Sequence, residues 1–510
     1  MTRTKSPRLP ALDALRGIGA SAVVAGHVTF ATGAVGIPYW GYWFSRLEVF
    51  VSVFFVLSGF VLYRPYAHAL ATGGKADSVG RHLWRRFLRI GPAYWLTAAV
   101  CLWLLVDKPV DLMTWAIHMT FTQFYVGLGG FQPGIGQAWS LTVEVIFYLL
   151  LPFMAAATLG RKWRPRRAAL LCLLLVPVTV GWALAIGMGK LNVFIHPLWF
   201  PAYAGCFGVG MALATIHVAL RTGTAPRSWK IIDDIGSAPW ACWAFALGLF
   251  AITATPVAGP PGGLGIATGS EYAVRLVLYL AVASCLIVPV AFGHKTKLHT
   301  FLETIPMRWL GTVSYGLFLW HPFAMHLIDE ISGVPPFGRD PLGMYILAMA
   351  GGLVLAAISW YCIERPAINW GRSRSSSKRP VGGKPEQDDR TQSGDLRPEG
   401  SVGFSQPISQ PGAEEEQRRW QEPEPADRPA QLDLVLTGHA PTKEPGHEEH
   451  HHSGNGQAHA DQTADEYERQ TAEYIETLTA EAVTSRYVGR ATVPRQHGSE
   501  QHESQRTSTH

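Results

Sequence analysis

Ionisable side chains set inside apolar runs are the residues of this chain that can do chemistry. The first run, LPALDALRGIGASAVVAGHVTF from Leu9 to Phe30, carries Asp13, Arg16 and His27. Such groups are costly inside a membrane span and are by default functional. Arg16 and His27 stand eleven positions apart. On an α-helix that is three turns plus roughly 20°, so they share one face, roughly 16 Å apart along the axis. One helix thus holds a fixed cation near one surface and a proton-exchanging imidazole towards the other. Asp13 and Arg16, at i,i+3, can also neutralise each other.

Three further stretches add to this set. AWSLTVEVIFYLLLP, from Ala138 to Pro152, places Glu144 inside an apolar run, where a carboxylate needs a partner. His27 reaches a similar depth from the other side. A carboxylate beside an imidazole raises its basicity and fixes its tautomer. RRFLRIGPAYW brings Arg85, Arg86 and Arg89 to the mouth of a span. Guanidinium forks match phosphate oxygens, which suits a nucleotide-diphosphate carrier such as coenzyme A; topological charge is the plainer use of the same residues. VFFVLSGFVL carries Ser58-Gly59, which fits close packing of a neighbouring backbone and lacks a nucleophile-elbow pattern. In SYGLFLWHPF, His321 precedes Pro322, which frees a helix carbonyl. Glu364-Arg365-Pro366 reads as a local ion pair and helix stop.

The elements that hold these residues are membrane helices. Of 510 residues, 48% are hydrophobic and 18 are Trp, but the chain has two characters. Residues 381–510 hold 12 Lys and Arg against 24 Asp and Glu, whereas the whole chain is +5; the part before them is therefore basic as well as apolar. Ten spans can be drawn, near 10–31, 46–63, 92–106, 139–159, 168–187, 198–217, 239–257, 273–293, 309–331 and 341–363. With ten, the basic loops 3–8, 81–89, 161–167, 221–230, 295–308 and 372–379 all fall on one side. The positive-inside rule makes that side cytoplasmic, with both termini there, in a multi-pass protein of the inner (plasma) membrane. LMTWAIHMTFTQFY, 112–125, is apolar but short; a crossing there would put RKWRPRR outside, so it is expected to be re-entrant or interfacial.

The expected fold class is all-α, a polytopic membrane bundle, with a membrane domain at 1–372 and a disordered acidic, His- and Pro-rich cytoplasmic tail at 373–510. HEEHHH at 447–452 reads as a solvated tract, and no metal site is expected. The six cysteines stand singly in apolar runs, without a disulfide or zinc spacing. The N-terminal basic segment leads into an uncleaved first span and not a signal peptide.

Taken together, LDALRG with Arg16 and His27, FFVLSGF, RRFLRIGPAYW, WSLTVEVIFYLLLP, SYGLFLWHP and IERP resemble the integral membrane acyltransferase family 3, over about residues 8–370. The resemblance implies ten spans and transfer of an acyl group from acyl-CoA, a co-substrate, to hydroxyls of envelope or secreted carbohydrates. It marks Arg16 and His27 as the essential pair, Arg85, Arg86 and Arg89 as the donor-binding motif, and Glu144 as the intramembrane glutamate. Further site candidates are Asp13, Ser58, Trp139, Ser140, Tyr148, Ser314, Tyr315 and His321. The tail carries no nucleophile block of the esterase-like domain found in many members. The expected partners are the bilayer, acyl-CoA and a carbohydrate or glycolipid acceptor; no nucleic acid or tightly bound cofactor is expected. Two other readings stay open: a tailoring enzyme for a secondary-metabolite sugar, and a transporter of glycans.

Overall fold

The computed structural model describes residues 9–106, 109–126, 131–260, 266–333 and 339–376, all helices and connecting turns. The expected tail, with HEEHHH, lies outside the described residues. The long helices are α1 (Pro10–Ala31), α2 (Val49–Ala71), α3 (Val79–Leu104), α4 (Trp139–Leu159), α5 (Pro165–Leu173), α6 (Leu175–Gly187), α7 (Phe200–Arg221), α8 (Pro239–Thr253), α9 (Gly269–Ala291), α10 (Ile305–Ser332) and α11 (Pro341–Ser359).

Among the described residues, eight helical segments are long and apolar enough to cross a membrane, α5 and α6 counting as one. A ninth forms if α8 is joined to the preceding Arg227–Gly236 across an 85° bend. The expected span at 309–331 is α10, 28 residues long. It is not among the apolar ones because His321, His326, Pro322, Ser314 and Tyr315 dilute its apolar residues. The chain is a multi-pass membrane protein. Leu149, Leu150 and Phe153 of α4 are exposed, as a lipid-facing helix side requires.

Two expected boundaries move. Arg81–Arg89 is not a loop; it forms the first turns of α3, which begins at Val79. Its basic side chains lower the hydropathy without breaking the helix. Nor does the last helix stop at Glu364. Trp360–Glu364 forms a π turn, and Arg365–Ser376 continues as α-helix. Pro366 is tolerated because the regular ladder is already interrupted there. The segment 112–125 opens as an eight-residue helix, Leu112–Met119, too short to cross. Asp111 caps it, accepting the Thr114 N–H at 2.6 Å. That hydrogen bond holds the Asp111 carboxyl below its usual range.

Packing centres on α2 against α7. A Cβ at Gly59 would strike Phe207 O, and one at Gly210 would strike Val56 O, so only glycine lets the two backbones approach this closely. The same device joins α1 to α10, where a Cβ on Gly17 would lie 2.8 Å from Gly311 N. Helix α11 completes a second group by packing on α10 and α1. The α1–α10 contact decides which side chain of α10 faces His27.

Candidate active site

Helix α1 turns Arg16 towards a cavity between α1, α2, α4 and α10. Arg16, Ser58, Ser140, Glu144, Ser314 and Tyr315 supply its polar lining, and Val51, Phe54, Phe55, Leu141 and Phe318 its apolar walls. It holds about 50 Å³, room for a few water-sized groups. Ser58 Oγ donates to Glu144 Oε1 at 2.6 Å. Its hydroxyl proton is thus committed to a carboxylate. Ser314 Oγ donates to Gly311 O at 2.9 Å, and Tyr315 Oη to Ile90 O at 2.8 Å, tying α10 to α3. Ser140 Oγ donates to Gln137 O at 3.3 Å.

The arginines divide by depth. On α3, positions 81, 85 and 89 are i,i+4,i+8 and share a face. Arg81 and Arg85 stay at the surface, paired to Asp77 at 3.5 and 2.6 Å. Arg86 lies over the Tyr148 ring, 6.0 Å from its centroid. Arg89 turns inward, where Arg16, Arg86, Glu364 and Asp13 are its charged neighbours. No Asp13–Arg16 ion pair forms among the described residues; Asp13 is exposed. Glu364, whose role as partner of Arg365 the structure does not support, is buried and accepts from Ser359 Oγ at 3.3 Å. The π turn re-aims it into the bundle, opposite Arg89.

His27 is half-buried and does not meet Glu144. Its Nδ1 lies 2.8 Å from His321 Nε2, with ring centroids 4.9 Å apart and planes at 21°. His321 is fully buried, and its Nδ1 lies 3.0 Å from Leu317 O. A carbonyl only accepts, so His321 Nδ1 carries the proton. Neutral His321 then offers the lone pair of Nε2, and His27 Nδ1 must donate to it. The lone pair of neutral His27 is left on Nε2. Pro322 helps: its missing N–H loosens the α10 ladder at this level. Gln137 Nε2 donates to the nearby Leu319 O at 3.0 Å. The carboxylate whose field reaches His27 is Glu48, on the turn Arg46–Glu48. Trp139 stands off the cavity, against Tyr203 and Phe55.

A family described as "Acyltransferase domain" matches residues 9–361. The chain belongs to this family. Among curated proteins it is 25% identical over 400 residues to the peptidoglycan O-acetyltransferase OatA of Listeria monocytogenes, covering 72% of this chain and 56% of that protein. It is 26% identical over 344 residues to the exopolysaccharide production protein ExoZ of Rhizobium meliloti, covering 66% and 93%. Nodulation protein 10 of Rhizobium leguminosarum is 25% identical over 342 residues, covering 62% and 81%. The chain thus spans little more than half the length of the Listeria relative. No solved structure matches it.

Three residues of this region were absent from the sequence-based set: Glu48, Gln137 and Glu364. Glu48 fell at the edge of an expected span, and Glu364 beside an arginine that explained it locally. Both are carboxylates within or beside apolar runs, the same signal that singled out Glu144.

Proposed function

We propose that this protein is a membrane O-acyltransferase. It moves an acetyl or other short acyl group from acyl-CoA to a hydroxyl of a cell-envelope carbohydrate. The observation that carries this reading is the His27–His321 pair, which leaves a lone pair on His27 Nε2 in a chain of the acyltransferase family. The names of the Listeria and Rhizobium meliloti relatives, a peptidoglycan O-acetyltransferase and an exopolysaccharide production protein, support a carbohydrate acceptor.

In this mechanism, Arg85, Arg86 and Arg89 hold the phosphates of the donor, with Arg16 at the cavity below. Charge topology supports an orientation with the arginine-rich end and both termini in the cytoplasm, and the plasma membrane as the site of action. The narrow aromatic cavity suits a small acyl group. His27 Nε2 removes the acceptor hydroxyl proton as general base. The acceptor oxygen attacks the thioester carbonyl, the C–S bond breaks, and CoA leaves as a thiolate that takes up one proton. Products are the carbohydrate ester and free CoA. His321 acts through His27, as a positioning residue. Direct transfer by this route uses neither Cys nor Ser as an acyl carrier.

The test is transfer of label from [14C]acetyl-CoA to an oligosaccharide by purified full-length protein in detergent. Wild type should yield an alkali-labile product and His27→Ala at most about a hundredth as much, at unchanged expression and melting midpoint. Full activity in His27→Ala refutes the mechanism. Absence of any wild-type product, with binding of both substrates intact, refutes acyl transfer itself.

A further inference from the structure

A second group of polar side chains gathers at the far end of the bundle from the arginines. Helices α2, α4, α7 and α9 begin there, and α1 ends there. On α9, Tyr272, Arg275 and Tyr279 are i,i+3,i+7 and fall within an arc of roughly 60°. Tyr279 Oη donates to Glu48 Oε1 at 2.8 Å. Arg275 Nη1 stands 4.0 Å from the same oxygen. The Arg275 guanidinium also lies over the Tyr272 ring, 5.1 Å from its centroid. Tyr203 and Trp139 stack alongside at 5.3 Å. Both touch Phe55, which walls the cavity of Arg16 and Glu144.

We propose that Glu48, Arg275 and Tyr279, with the rings of Tyr203, Tyr272 and Trp139, form a subsite for the hydroxyls of a sugar, which seats the acceptor beside His27. The identity of the ligand rests on the acyl-transfer reading; the site itself rests on four observations. First, the Glu48 side chain is 49% exposed while Arg275 is 14% exposed. A carboxylate serving only to pin α9 to α2 would be shielded; this one keeps lone pairs open. Second, the buried Tyr272 hydroxyl faces the Tyr203 side chain, so two phenols that can donate or accept sit side by side in the group. Third, Arg46 is fully buried and spends its donors on backbone, with Nε to Thr253 O at 2.8 Å and Nη2 to Pro260 O at 3.2 Å. It fixes the turn that carries Glu48 and does not compete for it. Fourth, that turn packs on the neighbour of His27: a Cβ at Gly26 would lie 3.7 Å from Leu47 Cβ.

The chemistry of the set selects the ligand class. A sugar hydroxyl both donates and accepts, and it meets here an acceptor carboxylate, a donor guanidinium and phenols that do either. Flat indole and phenol rings cover the C–H faces of a pyranose while their polar tips stay available. An acyl-CoA, by contrast, brings phosphates that Glu48 repels.

Binding of cellotetraose and chitotetraose to the full chain in detergent, read by saturation-transfer NMR, tests this without requiring turnover. Glu48→Gln should weaken binding about tenfold, as expected for lost hydrogen bonds to a charged group. Tyr279→Phe, which keeps the ring, should weaken it about threefold. Acetyl-CoA affinity and melting midpoint should stay at the wild-type values. The proposal is overturned if neither saccharide binds wild type, or if Glu48→Gln binds as wild type does. It is equally overturned if the loss extends to acetyl-CoA with a lowered melting midpoint, the behaviour of a structural pin. His27→Ala separates the two readings. It should bind saccharide and transfer at most about a hundredth as fast; binding with undiminished transfer sinks the general-base mechanism and leaves the subsite standing.

Discussion

Replacing His321 by Phe removes one hydrogen-bond acceptor and little else. The ring still fills a fully buried position edge to edge with His27. Leu317 O, the acceptor of the His321 ring, keeps the backbone N–H of residue 321 as its helix donor. What disappears is the lone pair opposite His27 Nδ1, at 2.8 Å. A neutral hydrogen bond is worth about 0.5–1.5 kcal/mol, roughly two- to twelvefold in rate where it positions the base. His27 also loses its tautomer bias, so only about half of it carries the lone pair on Nε2. Together these predict a fall in kcat of roughly 4- to 25-fold, with KM for acetyl-CoA unchanged because His321 acts only through His27 in the proposed mechanism. Losing the base itself, in His27→Ala, should cost roughly 10²–10⁴-fold. The assay is initial-rate transfer from [14C]acetyl-CoA to chitotetraose by purified protein, for both single variants and the double. The double variant should be no slower than His27→Ala, since His321 acts only through His27. His321→Gln, whose side-chain carbonyl can accept from His27 Nδ1, should run faster than His321→Phe. A His321→Phe rate within twofold of wild type, or losses that multiply in the double variant, would refute the pairing as a functional device.

Other outcomes follow from neighbouring features. Arg89→Ala should raise KM for acetyl-CoA about tenfold and flatten its salt dependence, as loss of a charge-assisted phosphate contact would. Ser58→Ala should keep at least about a tenth of wild-type kcat, and intact-mass spectrometry of wild type with acetyl-CoA should find no acyl adduct on Ser58; an adduct would install a covalent route. Gly210→Leu should force α2 from α7 and lower the melting midpoint in detergent, by an overpacking cost of about 1–3 kcal/mol or more. Arg46→Met strands Thr253 O and Pro260 O and should destabilise by about 1–3 kcal/mol for each, read as an early unfolding transition.

Hydropathy and charge made the bundle readable, because lipid and water sort side chains by polarity alone. The same physics made Arg16, His27 and Glu144 stand out, since each is expensive where it sits. Pairing is a different matter. Depth places His27, Glu144 and His321 at comparable levels but says nothing about rotation. The close α1–α10 contact through Gly17 and Gly311 turns His321 towards His27, while Glu144 faces Ser58. The basic run 81–89 reads as a loop because charge hides its apolar face, although its four-residue arginine spacing is helical. Glu364 reads as a surface ion because a π turn leaves no mark in composition.

The rise of helix α1 between Arg16 and His27, roughly 16 Å, also has an electrical meaning. If donor and acceptor reach the bundle from opposite ends, as in the proposed mechanism, the acyl group that passes between them is neutral, but the proton of the acceptor is not. A proton released at the His27 end, and another drawn from the arginine end by the departing thiolate, together displace one elementary charge per turnover. That displacement is worth about 2.3 kcal/mol for each 100 mV of membrane potential. A proton handed back through the bundle to the thiolate displaces none. The position of the base along one helix therefore decides whether the enzyme is an electroneutral catalyst or one whose reaction is loaded by the voltage of its own membrane. Proteoliposomes clamped at set potassium diffusion potentials distinguish the two by whether the extent of transfer follows the clamp.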